Sequence, residues 1–366
     1  MLLNHWIPLV TGCAVTFLIG TLIIYTQDWH GRWTHDHTEG VQKFHHQPTP
    51  RIGGLAIVIG TLISLLIVDD PEISQLIKPL FIAGLIPFFF GFREDVTKRV
   101  SVRDRLLATM VGGAVAISMT QVYLNHIDIP YIDTALRWWP IGCLVTIIAI
   151  SGVTNAINIL DGFNGLASGT VIVIFSFMAL LAYQADDHAL MVLSLLLASI
   201  VLGFVLLNYP FGKIFLGDAG AYFVGFLVAW VALLLPMRND EISPWASLLI
   251  CAYPVIEVLY SMMRRMKARL NSGQPDSLHL HSLIKTRMVR RYAKHFPKWS
   301  KNALVAPWIW LASVLVGMAA LQFATNVLLL VTLFIIFAIW YHVTYQALVK
   351  MPEYCDDGND LSEDRF

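Results

Sequence analysis

Sixteen residues of an otherwise apolar stretch, Thr154 to Gly169 (TNAINILDGFNGLASG), carry four polar side chains in steps of three: Asn155, Asn158, Asp161 and Asn164. If Ile141 to Leu160 forms a helix, the first three lie along one drifting stripe of its surface, and Gly162 and Gly165 then end it. Carboxamides and a carboxylate at hydrocarbon depth are costly unless they face protein, water or an ion. The stretch is therefore a candidate site, with helix-packing hydrogen bonds and a turn as the alternative.

Four other segments carry residue types that could act with it. Gly91 to Arg105 (GFREDVTKRVSVRDR) places the acidic pair Glu94 and Asp95 before Lys98, Arg99, Arg103 and Arg105. These are the parts needed to hold a divalent cation and phosphates, and also those of a charge-balanced loop at a membrane edge. In Asn208 to Gly220 (NYPFGKIFLGDAG), Asp218 stands between Gly217 and Gly220 at the entrance to an apolar run, as an ion ligand or a helix N-cap would. The long segment Arg264 to Asn302 holds eleven Lys and Arg against the single acid Asp276, and within it PDSLHLHSLI separates His279 from His281 by one residue. A basic juxtamembrane stretch binds anionic headgroups nonspecifically; the His-x-His pattern makes a site for substrate phosphate competitive. Near the N-terminus, Lys43, His45 and His46 precede TPRIGG (Thr49 to Gly54), whose glycine pair allows close backbone approach. Lys43 and Arg51 also fit interfacial anchors.

The elements that must position these groups are membrane helices. The chain of 366 residues is 57% hydrophobic and 14% charged, far from the mix of a soluble domain. Eleven runs are apolar and long enough to cross a bilayer: approximately Ile7 to Tyr25, Gly53 to Val68, Ile77 to Phe92, Leu106 to Val122, Ile141 to Leu160, Leu166 to Tyr183, His188 to Leu207, Ala219 to Leu235, Pro244 to Met263, Leu304 to Phe323 and Val327 to Tyr345. The expected fold is all-α and polytopic, one catalytic membrane domain over 1–345 and a polar cytoplasmic tail over 346–366. Met1 to Trp6 lacks the basic start of a cleaved signal peptide. The four cysteines show no metal or redox spacing and read as reduced.

With the N-terminus outside and the C-terminus cytoplasmic, only Lys78, Arg137 and Arg238 of the 25 Lys and Arg fall in external loops. That bias follows the positive-inside rule. It puts loops 26–52, 92–105, 208–218 and 264–303, and with them every motif above, on the cytoplasmic side. Hard oxygen ligands suit Mg²⁺, or Mn²⁺, better than zinc, and the cations suit a diphosphate. A substrate pair of soluble nucleotide diphosphate and lipid phosphate explains a site at the bilayer edge, and nothing in the sequence points to nucleic acid.

From Lys43 to Ser282 these motifs resemble, in order, those of the polyprenyl-phosphate N-acetylhexosamine-1-phosphate transferases; NAINILDGFNGLASG is the most specific, supported by PTPRIGG, the acidic pair, FLGDAG and PDSLHLHSLI. The resemblance implies that Asn158 and Asp218 hold Mg²⁺ on the diphosphate and that Asn164 reads the uracil edge. Glu94 and Asp95 would position or deprotonate the lipid phosphate, and Asp161 joins them as a catalytic carboxylate. Lys43, His45, Asn155, His279 and His281, with Arg103 or Arg105, would contact substrate. The sequence departs from the family where Glu94 replaces the usual first Asp, Asn164 stands where many bacterial members have Asp, and Ser282 replaces a further His. The implied substrates are a UDP-N-acetylhexosamine and undecaprenyl phosphate, for a cell-surface polysaccharide such as O-antigen, in the bacterial inner membrane; homodimer formation is left open. Rivals are the peptidoglycan translocase, whose marks are missing, and a secondary transporter, which would place charges at span centres in paired halves.

The charge bias yields a direct test. A cysteine introduced near Gly273 should escape a membrane-impermeant thiol reagent in intact cells and react once the cells are opened. Efficient labelling from outside would invert the topology.

Overall fold

The computed structural model describes residues 6–36, 49–268, 278–293 and 295–352. The main helices are α1 (Trp6–Tyr25), α2 (Gly53–Ile67), α3 (Pro71–Thr97), α4 (Val102–Thr120), α5 (Trp139–Leu160), α6 (Leu166–Gln184), α7 (His188–Asn208), α8 (Gly217–Arg238), α9 (Pro244–Ile250), α10 (Ala252–Lys267), α11 (Ala306–Gln322) and α12 (Val327–Lys350). Among the described residues the one strand pairing is the antiparallel contact of His35–Asp36 with Thr49–Pro50. The chain is thus an all-α, multi-pass membrane protein. Each of the eleven apolar runs coincides with helix, and eight helices are long and apolar enough to span. Of the others, α2 has 15 residues, and α4 opens on Arg103, Asp104 and Arg105.

The run Pro244 to Met263, expected as one straight span, is instead α9 and α10, bent by 77° at Cys251. Pro254 supplies the reason: without an N–H it cannot bond to the carbonyl of Ile250, so the ladder is interrupted at the bend. Other boundaries follow local chemistry. Asp70 caps α3, accepting N–H groups from Glu72 at 2.9 Å and Ile73 at 3.3 Å, with Pro71 at the first helical position. Ser101 and Asp104 form a reciprocal capping box at the start of α4.

Helix α8 is the axis of the bundle, packed against α2, α3, α5 and α6. Phe223, Phe226 and Trp230 are fully buried along it. Phe81 and Phe88 of α3 meet the Phe223 ring edge-on at centroid distances of 6.0 and 6.1 Å, the arrangement that aromatic quadrupoles favour. Lipid tails are as apolar as these side chains, so association within the bilayer rests on close packing and hydrogen bonds. Small residues serve it here: the backbone of α2 at Gly54 lies directly on Gly220 of α8.

The two ends of α8 are fixed differently. At the C-terminal end Arg238 bonds to Asp187 at 2.7 Å and to Glu72 at 2.9 Å. Asp187 also caps α7 by accepting the Leu190 N–H. Burial alone would raise the Asp187 pKa, but the Arg238 guanidinium and the Leu190 N–H outweigh it and hold the carboxyl below its ordinary value.

Between α5 and α6 the two glycines differ. Gly165 has φ +74°, and a side chain there would strike the Tyr209 ring, whereas nothing lies near a side chain at Gly162. Gly165→Ala should therefore lower stability by about 1 kcal/mol or more. Gly162→Ala should stay within about 0.5 kcal/mol of the parent. Thermal unfolding in detergent compares them, and equal midpoints would refute the conformational requirement at Gly165.

Candidate active site

Residues far apart in sequence are joined first by backbone. The Phe215 N–H donates to the Pro50 carbonyl at 2.9 Å, and the Gly53 and Gly54 N–H groups donate to the carbonyls of Phe215 and Leu216, both at 2.9 Å. The PRIGG and FLGDAG motifs are therefore one structural unit. Gly217 takes φ +74°, and a side chain there would collide with the Arg51 carbonyl, so the join requires glycine.

A buried helix start has unsatisfied N–H groups, and water cannot serve them here. Carboxylates from elsewhere do. The Gly217 N–H donates to Asp161 Oδ2 at 3.0 Å, the Asp218 N–H to Asp95 Oδ1 at 2.9 Å and the Ala219 N–H to Asp95 Oδ2 at 2.9 Å. Asp95 is fully buried. The partial positive charge of the helix start favours both anions. Asp218 itself is not the cap, since it sits inside the first turn and its own N–H is the one capped.

The Asp218 side chain is thereby released to face other groups. Arg51 Nη2 donates to its Oδ1 at 2.6 Å, Arg105 pairs with its Oδ2, and Asn158 Nδ2 lies 3.4 Å from Oδ1. Arg51 Nε also stands 3.4 Å from Asp95, so one guanidinium bridges two carboxylates. Arg105 lies over the ring of Tyr222 at 5.9 Å, and Tyr222 donates its hydroxyl hydrogen to Asn155 Oδ1 at 3.2 Å. Three carboxylates, Asp95, Asp161 and Asp218, and the two guanidiniums of Arg51 and Arg105 thus meet at the start of α8. Among the described residues no three His, Cys, Asp or Glu side chains form a metal cage. The oxygen chemistry of Asp218 and Asn158 nonetheless fits Mg²⁺, which takes one or two protein ligands and completes its shell with water and substrate phosphate.

The remaining expected residues fall in different places. Glu94 accepts the Val100 N–H at 2.7 Å and so closes the turn after α3. Arg103 is exposed and pairs with none of these carboxylates. Asn164 is buried, its Nδ2 donating to the Pro210 carbonyl at 2.8 Å and its Oδ1 accepting from Asn302 at 3.1 Å. This clasp, continued by the Gly165 N–H donating to Asn208 Oδ1 at 2.6 Å, ties the turn to the following loops. Both polar ends of Asn164 thus contact protein, where the sequence led us to expect a uracil edge. Lys43 and His45 lie outside the described residues.

His279 and His281 are buried side by side, rings stacked at 5.2 Å, and His281 meets the edge of Phe163, in the turn between Asp161 and Asn164, at 5.4 Å. Their acidic neighbour is Glu257 of α10, which the sequence reading passed over. A lone carboxylate within a run expected to span was the available signal. Arg51, read as an interfacial anchor or part of a glycine motif, was underrated for lack of any local clue to its partners 44 and 167 residues away.

Residues 77–236 fit the sequence model of Glycosyl transferase family 4. Among the chain's relatives is the undecaprenyl-phosphate alpha-N-acetylglucosaminyl 1-phosphate transferase of Yersinia pestis, 29% identical over 248 residues, 66% of this chain and 67% of that protein. The protein of the same name from Escherichia coli K12 is 27% identical over the same length and shares. A probable undecaprenyl-phosphate N-acetylglucosaminyl 1-phosphate transferase of Bacillus subtilis is 27% identical over 241 residues, 66% of each chain. The aligned length is thus about two thirds of each relative.

If Arg51 neutralises two buried carboxylates, Arg51→Ala should lower stability by about 3 kcal/mol, the cost typical of breaking a buried pair on one side. Arg51→Lys, which cannot reach both acids in a planar fork, should fall between. Thermal unfolding of the detergent-solubilised proteins reads this, and an unchanged midpoint for Arg51→Ala would show that Arg105 alone suffices.

Proposed function

We propose that the protein transfers N-acetylhexosamine 1-phosphate, most simply GlcNAc 1-phosphate, from a UDP-sugar to undecaprenyl phosphate. An oxygen of the lipid phosphate bonds to the phosphorus that carries the sugar. The bond from that phosphorus to the bridging oxygen breaks, and UMP leaves with the bridging oxygen. The observation that carries the reading is the convergence of Asp218, Asn158, Arg51 and Arg105 at the start of α8, in a chain whose relatives bear that activity in their names.

The geometry favours charge neutralisation over proton removal. A phosphate monoester is already largely ionised at neutral pH, so the lipid nucleophile needs no strong base. Asp95 accepts backbone N–H groups on both oxygens and Asp161 on Oδ2, which suits them to fixing the helix start. Arg51 and Arg105 supply positive charge for the diphosphate, whose transition state calls mainly for positioning and electrostatic stabilisation. Asp218 and Asn158 would hold Mg²⁺, which when bound supplies further neutralisation of the diphosphate oxygens. The positive-inside bias supports a cytoplasmic site, where a soluble UDP-sugar can reach it.

The purified protein should release UMP from a UDP-N-acetylhexosamine only when undecaprenyl phosphate is present. Asp218→Asn should reduce that rate by about a hundredfold or more while the protein stays folded, since an amide cannot balance a cation as a carboxylate does. Excess EDTA should act likewise. Full activity in the mutant or in EDTA would remove the metal role, and failure of every UDP-sugar in a panel would remove the substrate assignment.

A further inference from the structure

Glu257 lies outside the sequence motifs, yet it is 1% exposed on the bent helix α10. Its carboxylate is the hub of the His-x-His segment. Oε1 lies 2.9 Å from His279 Nδ1. The Leu280 N–H, between the two histidines, reaches Oε1 and Oε2 at 3.4 and 3.3 Å. The Tyr253 hydroxyl sits 3.3 Å from Oε2 and 3.2 Å from His281 Nδ1, and His281 Nδ1 is itself 3.6 Å from Oε2. One acid thus fastens a side chain, the adjoining backbone and, through Tyr253, a second side chain.

These contacts set the chemistry of the rings. An ionised carboxylate only accepts hydrogen bonds, so His279 carries its proton on Nδ1. A Tyr253 hydroxyl that donates to the carboxylate accepts from His281, which places that ring's proton on Nδ1 as well. Each ring then has Nε2 on the side away from its Nδ1 contact, and an interplanar angle of 6° keeps the two ring planes parallel. His281 meets Phe163, two residues from Asp161, which couples the pair to the carboxylate cluster. A carboxylate that fixes tautomer and orientation is the usual partner of a working imidazole.

We propose that Glu257 is a positioning residue that holds His279 and His281 as one unit, in the orientation in which they act on the phosphate groups of the substrate. The inference rests on the transfer reading above for its substrate, and on the geometry alone for the hub. A buried acid with a merely structural role would stabilise α10 without acting through the histidines.

The test is a mutant cycle on UMP release by the full-length protein. Glu257→Ala should lower kcat/KM by about 10- to 100-fold. In a His279→Ala, His281→Ala background the same change should cost less than about threefold, because groups acting as a unit are not additive. Glu257→Gln, which keeps the shape and one acceptor, should recover part of the loss and guards against misfolding of the alanine variant. A loss that persists undiminished in the double-histidine background, or no loss at all, overturns the proposal. A second readout needs no substrate. Diethylpyrocarbonate modification of His279 and His281, followed by peptide mass spectrometry, should run several-fold faster in Glu257→Ala and Glu257→Gln than in the parent, and equal rates overturn the hub. If the parent releases no UMP, the transfer reading fails while the labelling arm still decides the role of Glu257.

Discussion

The structure depends on one requirement: the N-terminus of α8 lies buried in the middle of the bundle, where its N–H groups must be satisfied by protein. Asp95 and Asp161 meet it, and most of the site follows. Asp95, held at that helix start, is met by Arg51, which also pairs with Asp218 beside Arg105. With the backbone already capped, Asp218 is left to bind something other than its own helix. A group that the sequence allowed to be either cap or ligand is thereby freed for the second role.

The helices were legible because length and apolarity are properties of a continuous run, and all eleven runs are helical. The bend at Cys251 was not, since the run stays apolar through it; Pro254 was visible at its middle, but a proline inside a span need not break it, as Pro79 and Pro87 within α3 show. Within the site, the spacing of Asn155, Asn158 and Asp161 placed them correctly on one helix and its end. It could not show that Asn164, next in the same series, turns away into a clasp with Pro210 and Asn302. The difference lies in the positive φ of Gly165 and in partners over forty residues distant, neither of which a local pattern contains.

Long-range pairs account for the other omissions. Arg51 looked like an interfacial anchor because its partners, Asp95 and Asp218, are brought to it by the hydrogen-bonded join of residues 50–54 to 215–216. Glu257 looked like an isolated acid until α10 turned it toward the histidines. The two halves of the site, carboxylates with arginines on one side and histidines with Glu257 on the other, meet at the short turn containing Phe163. The groups that flank Phe163, the His281 ring at 5.4 Å and the Lys285 ammonium at 5.7 Å, give that turn both an aromatic and a cationic neighbour.

The capping of α8 also bears on how the chain is made. A polypeptide synthesised from its N-terminus presents Arg51 and Asp95 more than a hundred residues before the N–H groups of Asp218 and Ala219 exist. During that interval Asp95 has no helix start to cap, and burying it is costly. α3 can settle fully against its neighbours only when α8 arrives. The last piece of the cluster to be synthesised is therefore also the one that makes the earlier pieces stable, and the carboxylate–arginine half of the site is completed together with the bundle axis.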